Sequence, residues 1–202
     1  MQAAGKVPID VRRVPVDYLS ITGHKLHAPK GVGALYVRLK APFTPLLHGG
    51  HQERGLRGGT ESVPLIAALG KAAELAHQEV AVYDARVRPL RDQLERGILE
   101  SVTDTELNGH AALRLANTTN LTFRGIAADA LLMLLDQEGI CASSGSACLA
   151  DSAEPSHVVR AMKPDSGASR QMVRFSVGLT STVDEMDSTV SAMRQAVAAL
   201  KS

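Results

Sequence analysis

Two cysteines occupy different surroundings in this sequence, and one of them lies in a segment suited to chemistry. Cys148 lies in the run ASSGSACLAD, residues 142–151, in which small residues surround the thiol. A flexible loop of small residues suits a nucleophile that must move between two places. A free cysteine is more often a small buried side chain, which is how we interpret Cys141, because the apolar run over 140–143 predicts a short strand. The residues alone leave Cys148 open to both interpretations.

A lysine in a glycine-containing turn is the second candidate. Lys25 follows Thr22 and His24 in the stretch SITGHKLHAPKGVGALYV, residues 20–37, at the end of a predicted strand. Most such lysines are solvated surface residues. The alternative is a Schiff-base lysine, whose amine is desolvated and positioned to attack an aldehyde. The adjacent hydroxyl and imidazole groups would then suit a phosphate.

Two further stretches carry groups that bind anions. Thr60 ends a glycine-rich run within HGGHQERGLRGGTESVP, residues 48–64, directly before a predicted helix. Free backbone N–H groups and a hydroxyl at that place predict an anion site, although a threonine that only caps the helix explains the pattern equally well. Arg174 interrupts the apolar strand MVRFSVG, residues 172–178, either as a structural ion-pair partner or as a bidentate clamp for a carboxylate.

Strands and helices alternate along the chain, which predicts α/β or α+β architecture. The predicted elements are strands over 17–22 and 32–37, a helix over 61–100 with a bend between Tyr83 and Pro89, a strand over 117–123, a helix over 127–137, a strand over 172–177 and a last helix from 183 to 200. Thr182 and Glu185 predict a capping box at the start of that last helix.

The composition is that of an ordinary globular protein. The chain has 202 residues, of which 45% are hydrophobic and 21% charged, and a net charge of +1, so nothing in its charge favours nucleic acid or an anionic membrane as a partner. No apolar run reaches the roughly 18 residues of a membrane helix, and the opening MQAAGKVPID lacks the apolar core of a signal peptide. Two cysteines are too few for a disulfide framework, so we expect a cytoplasmic location.

Taken in order, these stretches resemble the NifS-like cysteine desulfurases of the class V aminotransferase family. The resemblance runs from Gln2 almost to the C-terminus and is carried by GHKLHAPKGVGALYV, GGHQERGLRGGTESVP, ASSGSACLADSAEPSHVVRAM and VRFSVG. It implies the C-terminal part of a pyridoxal 5′-phosphate (PLP)-dependent transferase of fold type I. Residues 1–81 would be the remnant of the large mixed-sheet domain that binds PLP, and residues 82–202 the small α+β domain that carries the cysteine loop.

The resemblance implies a set of residues around the cofactor. Lys25 would hold PLP as a Schiff base and move a proton at the substrate α-carbon, and Gln2 would bind the phenolic oxygen of the ring. Thr22, Gly23 and His24 would bind the phosphate. The family more often has serine at the position of Thr22, and threonine keeps the hydroxyl.

The resemblance also implies the reaction and the partners. Arg174 would bind the carboxylate of L-cysteine, and Cys148 would take the substrate sulfur as a persulfide and release L-alanine. Thr60 would reach the phosphate of the neighbouring subunit's cofactor, which implies a homodimer with shared sites. The sulfur would pass to an acceptor such as an Fe–S scaffold protein, in which case Cys148 is also a candidate transient ligand of the nascent cluster.

The chain also departs from the family pattern. The family's enzymes are longer, and the missing N-terminal part carries an Asp that pairs with the pyridine nitrogen and falls just before Met1, a His stacked on the ring and an Asn near the substrate. We therefore weigh a desulfurase, with selenocysteine lyase as the runner-up enzyme, against a truncated, non-catalytic module for dimerisation or interaction.

Overall fold

The computed structural model describes residues 2–145, 155–164 and 166–201, and the chain divides into two compact units, Met1–Tyr83 and Asp84–Ser202. The regular elements of the N-terminal unit are β1 (Tyr18–Thr22), a 3-10 turn (Gly23–Leu26), β2 (Gly33–Val37), a second 3-10 turn (Gln52–Gly55) and the first part of α1 (Val63–Ser101). Helix α1 continues into the C-terminal unit.

An antiparallel hairpin organises the N-terminal unit. Strands β1 and β2 pair from Tyr18 opposite Val37 to Thr22 opposite Gly33. Gly33 cannot be replaced without movement, because a Cβ atom there would lie 2.7 Å from the carbonyl oxygen of Ile21. The core of the unit joins the hairpin, its connecting turn and one face of α1; its members are Leu26, Ala28 and Ala72, with Ala4, Ile21, Val32, Leu69 and Ala76 packed around them.

In its described residues, the C-terminal unit contains a three-stranded antiparallel sheet of order β3-β4-β5 and the helices α2, α3 and α4. Its elements are β3 (Thr105–Leu107), β4 (Thr118–Phe123), α2 (Ala128–Gln137), α3 (His157–Met162), a 3-10 turn (Gly167–Arg170), β5 (Met172–Ser176) and α4 (Val183–Lys201).

The two faces of this sheet have different roles. Leu121, Phe123 and Val173 lie on one face and are at most 1% exposed. Thr119 on that face donates a hydrogen bond to Glu95 of α1, which places α1 over it. Side chains alternate along a strand, so the opposite face carries Asn120 and Arg174, among others. Met172 on that second face packs with residues of α3 and the neighbouring 3-10 turn, Val159 and Ala168.

Most of the elements predicted from the sequence are present, and the capping box is confirmed. The backbone N–H of Thr182 donates to Oε2 of Glu185 at 2.8 Å, and the backbone N–H of Glu185 donates to Oγ1 of Thr182 at 3.3 Å. The helix predicted over 61–100 corresponds to α1, which continues through Pro89, and the bend between Tyr83 and Pro89 stays a prediction. Helix α3, strand β3 and the 3-10 turns were not predicted.

The prediction for the segment before the cysteine loop is wrong in two ways. Residues 140–143 do not form a strand, since only Ser143 pairs, as an isolated bridge with Arg174. Cys141 is exposed rather than buried, because without a paired neighbour its segment has no sheet to pack against. None of the helices in the described part of the chain has the length and apolar content needed to span a membrane.

Candidate functional site

Lys25 lies on a short 3-10 turn that leaves the end of β1. Thr22 is the last residue of the strand and has extended backbone angles, and the turn begins at Gly23. His24 is exposed and Lys25 is half-buried, whereas Leu26 on the same turn is buried in the core of the N-terminal unit. The buried leucine therefore anchors the turn and holds its lysine at the protein surface.

The backbone around this turn has little freedom to move. The N–H of Gly23 donates to the carbonyl oxygen of Val32 at 2.9 Å, and the N–H of Ala28 donates to the carbonyl oxygen of Gly23 at 3.0 Å. A Cβ atom on Gly23 would lie 2.8 Å from both the carbonyl oxygen and Cγ1 of Val32, so glycine is required at this place. His27 ends the turn in the left-handed region, with φ of 64°. The position of Lys25 is thus fixed by its neighbours along the chain.

The first residues of the chain pack against the same turn. Ala4 packs on the cluster that contains Leu26, and a Cβ atom on Gly5 would lie 3.0 Å from Cδ2 of Leu26. Within this segment the ammonium group of Lys6 donates to the main-chain oxygen of Gln2 at 3.2 Å. The pKa of Lys6 is lowered, first because burial disfavours its charged form and second because the positive charge of Lys25 is nearby. The structure therefore brings the Gln2 segment, Lys6 and Lys25 together.

The groups on the Lys25 turn fit a cofactor that carries an aldehyde and a phosphate. A primary amine, an imidazole and a hydroxyl occur within four consecutive residues, Thr22 to Lys25. The amine can form a Schiff base, and the other two groups can bind phosphate oxygens. Gly23 lies between these groups and is buried against Val32, which fixes the backbone that carries them. The chemistry of this set agrees with the resemblance to PLP enzymes.

The glycine-rich loop before α1 is folded back on itself. The N–H of Gly58 donates to the carbonyl oxygen of Leu47 at 2.9 Å, and a Cβ atom on Gly58 would lie 2.7 Å from the backbone nitrogen of Gly49. Thr60 follows this contact and is exposed. Thr60 does not cap α1, because the helix begins at Val63 and the N–H of Ile66 donates to the carbonyl oxygen of Ser62. Helix capping therefore does not explain Thr60.

Arg174 lies on β5 in the C-terminal unit, and its side chain is half-buried. Its backbone exchanges two hydrogen bonds with Ser143, N–H of Arg174 to O of Ser143 at 2.7 Å and N–H of Ser143 to O of Arg174 at 3.2 Å. Its guanidinium Nη1 donates to the carbonyl oxygen of Gly145 at 2.8 Å. No acidic side chain in the described ranges forms an ion pair with Arg174. A structural ion pair therefore does not explain Arg174 within that part of the chain.

A cavity of about 190 Å³ adjoins Arg174. Asn108 and Asn120 form its polar wall, and Val158 and Met162 of α3 form part of its apolar wall. Asn108 is 7% exposed, and its Nδ2 donates both to Oδ1 of Asn120 at 2.8 Å and to a neighbouring threonine. The predictions from sequence missed this asparagine pair, because neither asparagine lies in a recognisable motif.

Cys148 lies outside the described residues. The chain on either side is described at Gly145 and at Ser156, whose hydroxyl caps α3 by accepting from the N–H of Val159. Cys141 lines a separate cavity of about 590 Å³ with Glu138 and Ser176. Within the described ranges there is no cluster of three or more His, Cys, Asp or Glu side chains that could hold a metal ion.

The predicted site residues thus fall into three sets. Lys25, Thr22, Gly23 and His24 share one turn, with the Gln2 segment packed against it. Thr60 belongs to the same unit and follows β2 in the sequence. Arg174 belongs to the C-terminal unit.

The chain belongs to the class V aminotransferase family, whose model matches residues 1–188. Its mixed α/β structure is that of part of a fold-type I, PLP-dependent transferase.

Its relatives narrow the class further. Cysteine desulfurase 2 of Trichormus variabilis is 50% identical to it over 202 residues. Cysteine desulfurase NifS of Azotobacter vinelandii is 49% identical over 201 residues. In both cases the match covers 100% of this chain and 50% of the relative. A solved NifS-like protein superposes with a TM-score of 0.88 at 32% identity, covering 99% of this chain and 51% of that one. The chain therefore spans about half the length of these relatives.

Proposed function

We propose that this chain forms the lysine-bearing, C-terminal part of a cysteine desulfurase that uses PLP. The enzyme removes sulfur from L-cysteine and leaves L-alanine and a persulfide on Cys148. The observation that carries the proposal is the rigid turn that presents Lys25 with Thr22 and His24. The names of the relatives, matched along the whole of this chain, support the same activity.

The residues of the turn have separate tasks. Lys25 would hold PLP at its aldehyde carbon, Thr22 and His24 would hold its phosphate, and Gln2 would hold its phenolic oxygen. When bound, PLP supplies a conjugated ring that takes up negative charge from the substrate α-carbon. The amine of Lys25 would accept the proton from the substrate α-carbon and would return a proton to the product.

Arg174 and Cys148 act on the substrate itself. The guanidinium of Arg174 binds the α-carboxylate, which orients the substrate side chain. The thiolate of Cys148 attacks the substrate sulfur, so that an S–S bond forms and the substrate Cβ–S bond breaks. The proton of the Cys148 thiol balances the proton gained by the product, and one L-cysteine yields one L-alanine and one enzyme persulfide.

The proposal extends to assembly and partners. Residues 1–81 belong to the large PLP-binding domain and residues 82–202 to the small domain. Thr60 is exposed, as it must be if it reaches the cofactor phosphate of a second subunit in a homodimer. The persulfide passes to an acceptor protein such as an Fe–S scaffold in the cytoplasm, where Cys148 is a candidate transient ligand of the cluster.

A cofactor titration tests the Lys25 assignment. Adding PLP to the purified protein should produce the visible absorbance of a Schiff base. Lys25→Ala should remove that absorbance, and the matched variant Lys30→Ala should keep it, because Lys30 is an exposed lysine of the same segment. A wild-type protein without the absorbance would contradict the binding of PLP by this chain and would favour a non-catalytic module.

Sulfide release tests the nucleophile. Cys148→Ser should abolish release of sulfide from L-cysteine and keep the Schiff-base absorbance, whereas Cys141→Ser should keep both. Sulfide release by Cys148→Ser would exclude Cys148 as the nucleophile. Turnover of selenocysteine without turnover of L-cysteine would identify a selenocysteine lyase instead.

A further inference from the structure

A row of polar residues crosses the sheet of the C-terminal unit at Arg174. Asn120 on β4 lies directly opposite Arg174 on β5. Asn108 follows the end of β3, and its N–H donates to the carbonyl oxygen of Asn120 at 2.9 Å. Ser143 pairs with Arg174 on the other side. Residues directly opposite one another in an antiparallel pair have Cβ atoms about 4.5–5.5 Å apart on the same face of the sheet, so Asn120 and Arg174 are side-chain neighbours.

The side-chain amide of Asn120 is held at both ends. Its Oδ1 accepts from Nδ2 of Asn108 at 2.8 Å, and its Nδ2 donates to Sδ of Met172 at 3.2 Å. Nδ2 of Asn108 also donates to Oγ1 of Thr122 at 2.7 Å, and that bond is buried. Rotation of the half-buried Asn120 amide would break both of these hydrogen bonds and would remove one partner from the buried Nδ2 of Asn108, which costs free energy. Asn120 therefore forms a fixed wall beside Arg174.

On its other side, Arg174 is held by the segment that leads to the cysteine loop. Its backbone is bonded to Ser143, and its Nη1 donates to the carbonyl oxygen of Gly145. The guanidinium is thus bonded to Gly145, and Asn120 is the neighbour of Arg174 on the adjacent strand. An arginine binds a carboxylate through two parallel hydrogen bonds only when its planar fork has the right orientation.

We propose that Asn120, held by Asn108, is a positioning residue that restricts the side chain of Arg174 to the orientation in which it binds the substrate carboxylate. That the carboxylate belongs to L-cysteine rests on the proposed function. That Asn120 restricts Arg174 rests on the contacts described above. The asparagine pair orders the arginine when the protein folds, so that less conformational freedom is lost when substrate binds. Neither asparagine touches the reacting atoms in this scheme.

The first test measures the reactivity of Arg174 without cofactor or substrate. The protein is treated with phenylglyoxal, and modification of the peptide that contains Arg174 is followed by mass spectrometry. Asn120→Ala should increase the modification rate of Arg174 about threefold to tenfold, the range expected for releasing one ordered side chain. Thr118→Ala is the matched control, because Thr118 lies on the same strand and face and opposite Ser176 rather than Arg174. Asn120→Thr serves as a second variant, since threonine removes the amide and suits a strand.

The second test uses the enzyme with PLP bound. Asn120→Ala should raise KM for L-cysteine about fivefold with a smaller change in kcat, and it should lower the preference for L-cysteine over its methyl ester, which lacks the carboxylate. Thr118→Ala should leave both unchanged. Equal rates of Arg174 modification in wild type and both Asn120 variants, with folding verified by circular dichroism, would overturn the positioning role. Because the modification assay needs no cofactor, a failure of the proposed function would appear separately, as a wild-type protein that does not bind PLP.

Discussion

The turn that carries Lys25 offers a quantitative test of the structure through Gly23. A Cβ atom on Gly23 would lie 2.8 Å from the carbonyl oxygen of Val32, 2.8 Å from Cγ1 of Val32 and 3.3 Å from Cβ of Ala28. Contacts between carbon and a carbonyl oxygen are normally about 3.3–3.6 Å. The same carbonyl oxygen accepts the N–H of Gly23, so the atoms cannot separate without loss of that hydrogen bond.

The expected magnitude follows from two opposing effects. Forcing a methyl group into a filled site costs about 1–3 kcal/mol. Replacing glycine by alanine also reduces the freedom of the unfolded chain, which stabilises the protein by about 0.4–1 kcal/mol. We therefore expect Gly23→Ala to lower the free energy of unfolding by about 1–2 kcal/mol.

Gly70→Ala is the matched control for this substitution. Gly70 lies in α1 and is exposed, and beyond its chain neighbours and the backbone of its own helix no described atom lies within 4 Å of a Cβ placed there. Alanine is preferred to glycine inside a helix, so Gly70→Ala should stabilise the protein by about 0.5–1 kcal/mol.

Urea denaturation followed by far-ultraviolet circular dichroism separates the two variants. With a urea dependence of about 1–3 kcal/mol per molar, their midpoints should differ by about 1 M, with Gly23→Ala unfolding first. Gly23→Ala should also weaken the Schiff-base absorbance with PLP, because the shift of the backbone moves Lys25. The steric reasoning would be refuted if Gly23→Ala unfolded at the same urea concentration as Gly70→Ala, or at a higher one.

Two further predictions concern charged groups. Burial opposes the ionisation of Glu95, but hydrogen bonds from Arg114 and a neighbouring threonine outweigh it and lower the pKa of the carboxyl. The stability that this carboxylate contributes is present at pH values above the pKa of Glu95 in the unfolded chain, and it is lost as the pH falls through the pKa in the folded protein. Glu95→Gln should therefore lower the free energy of unfolding, measured by urea denaturation, by about 1.5–3 kcal/mol at neutral pH and by progressively less in acid. An equal loss at neutral and acidic pH would contradict the charge argument. In the N-terminal unit, Lys25→Met removes a positive charge that lowers the pKa of Lys6, so NMR titration of the Lys6 amine should show a higher pKa, whereas Lys30→Met should leave it unchanged.

The Lys25 turn and the last helix could be predicted from sequence because their signals are local. A β-rich run followed by glycine and lysine marks the end of β1, and the Thr182 and Glu185 side chains satisfy the first N–H groups of α4 within one turn. Such features depend on residues only a few positions apart, and a reader of the sequence sees them together.

The errors arose where contacts distant in sequence decide the structure. The segment that contains Cys141 was predicted as a strand from its apolar residues alone, yet a strand needs a paired neighbour, and β5 offers it one only at Ser143.

The asparagine pair beside Arg174 could not be predicted from the sequence. Asn108 and Asn120 are twelve residues apart, and neither belongs to a motif of its own. Their relation to Arg174 appears only when β3, β4 and β5 are placed side by side, because the register of the sheet sets Asn120 opposite the arginine. A residue that positions another residue is therefore harder to predict from sequence than the residue that it positions.

Each unit fixes its own functional side chain through its own contacts. Lys25 depends on Gly23, Val32 and Leu26, all within the N-terminal unit, and Arg174 depends on Asn120 and Gly145 within the C-terminal unit. Substitutions that share no partners have effects that add. If the proposed function holds, a change at Gly23 acts on the binding of the cofactor and a change at Asn120 acts on the recognition of the substrate carboxylate, so that the two halves of the reaction can be perturbed one at a time.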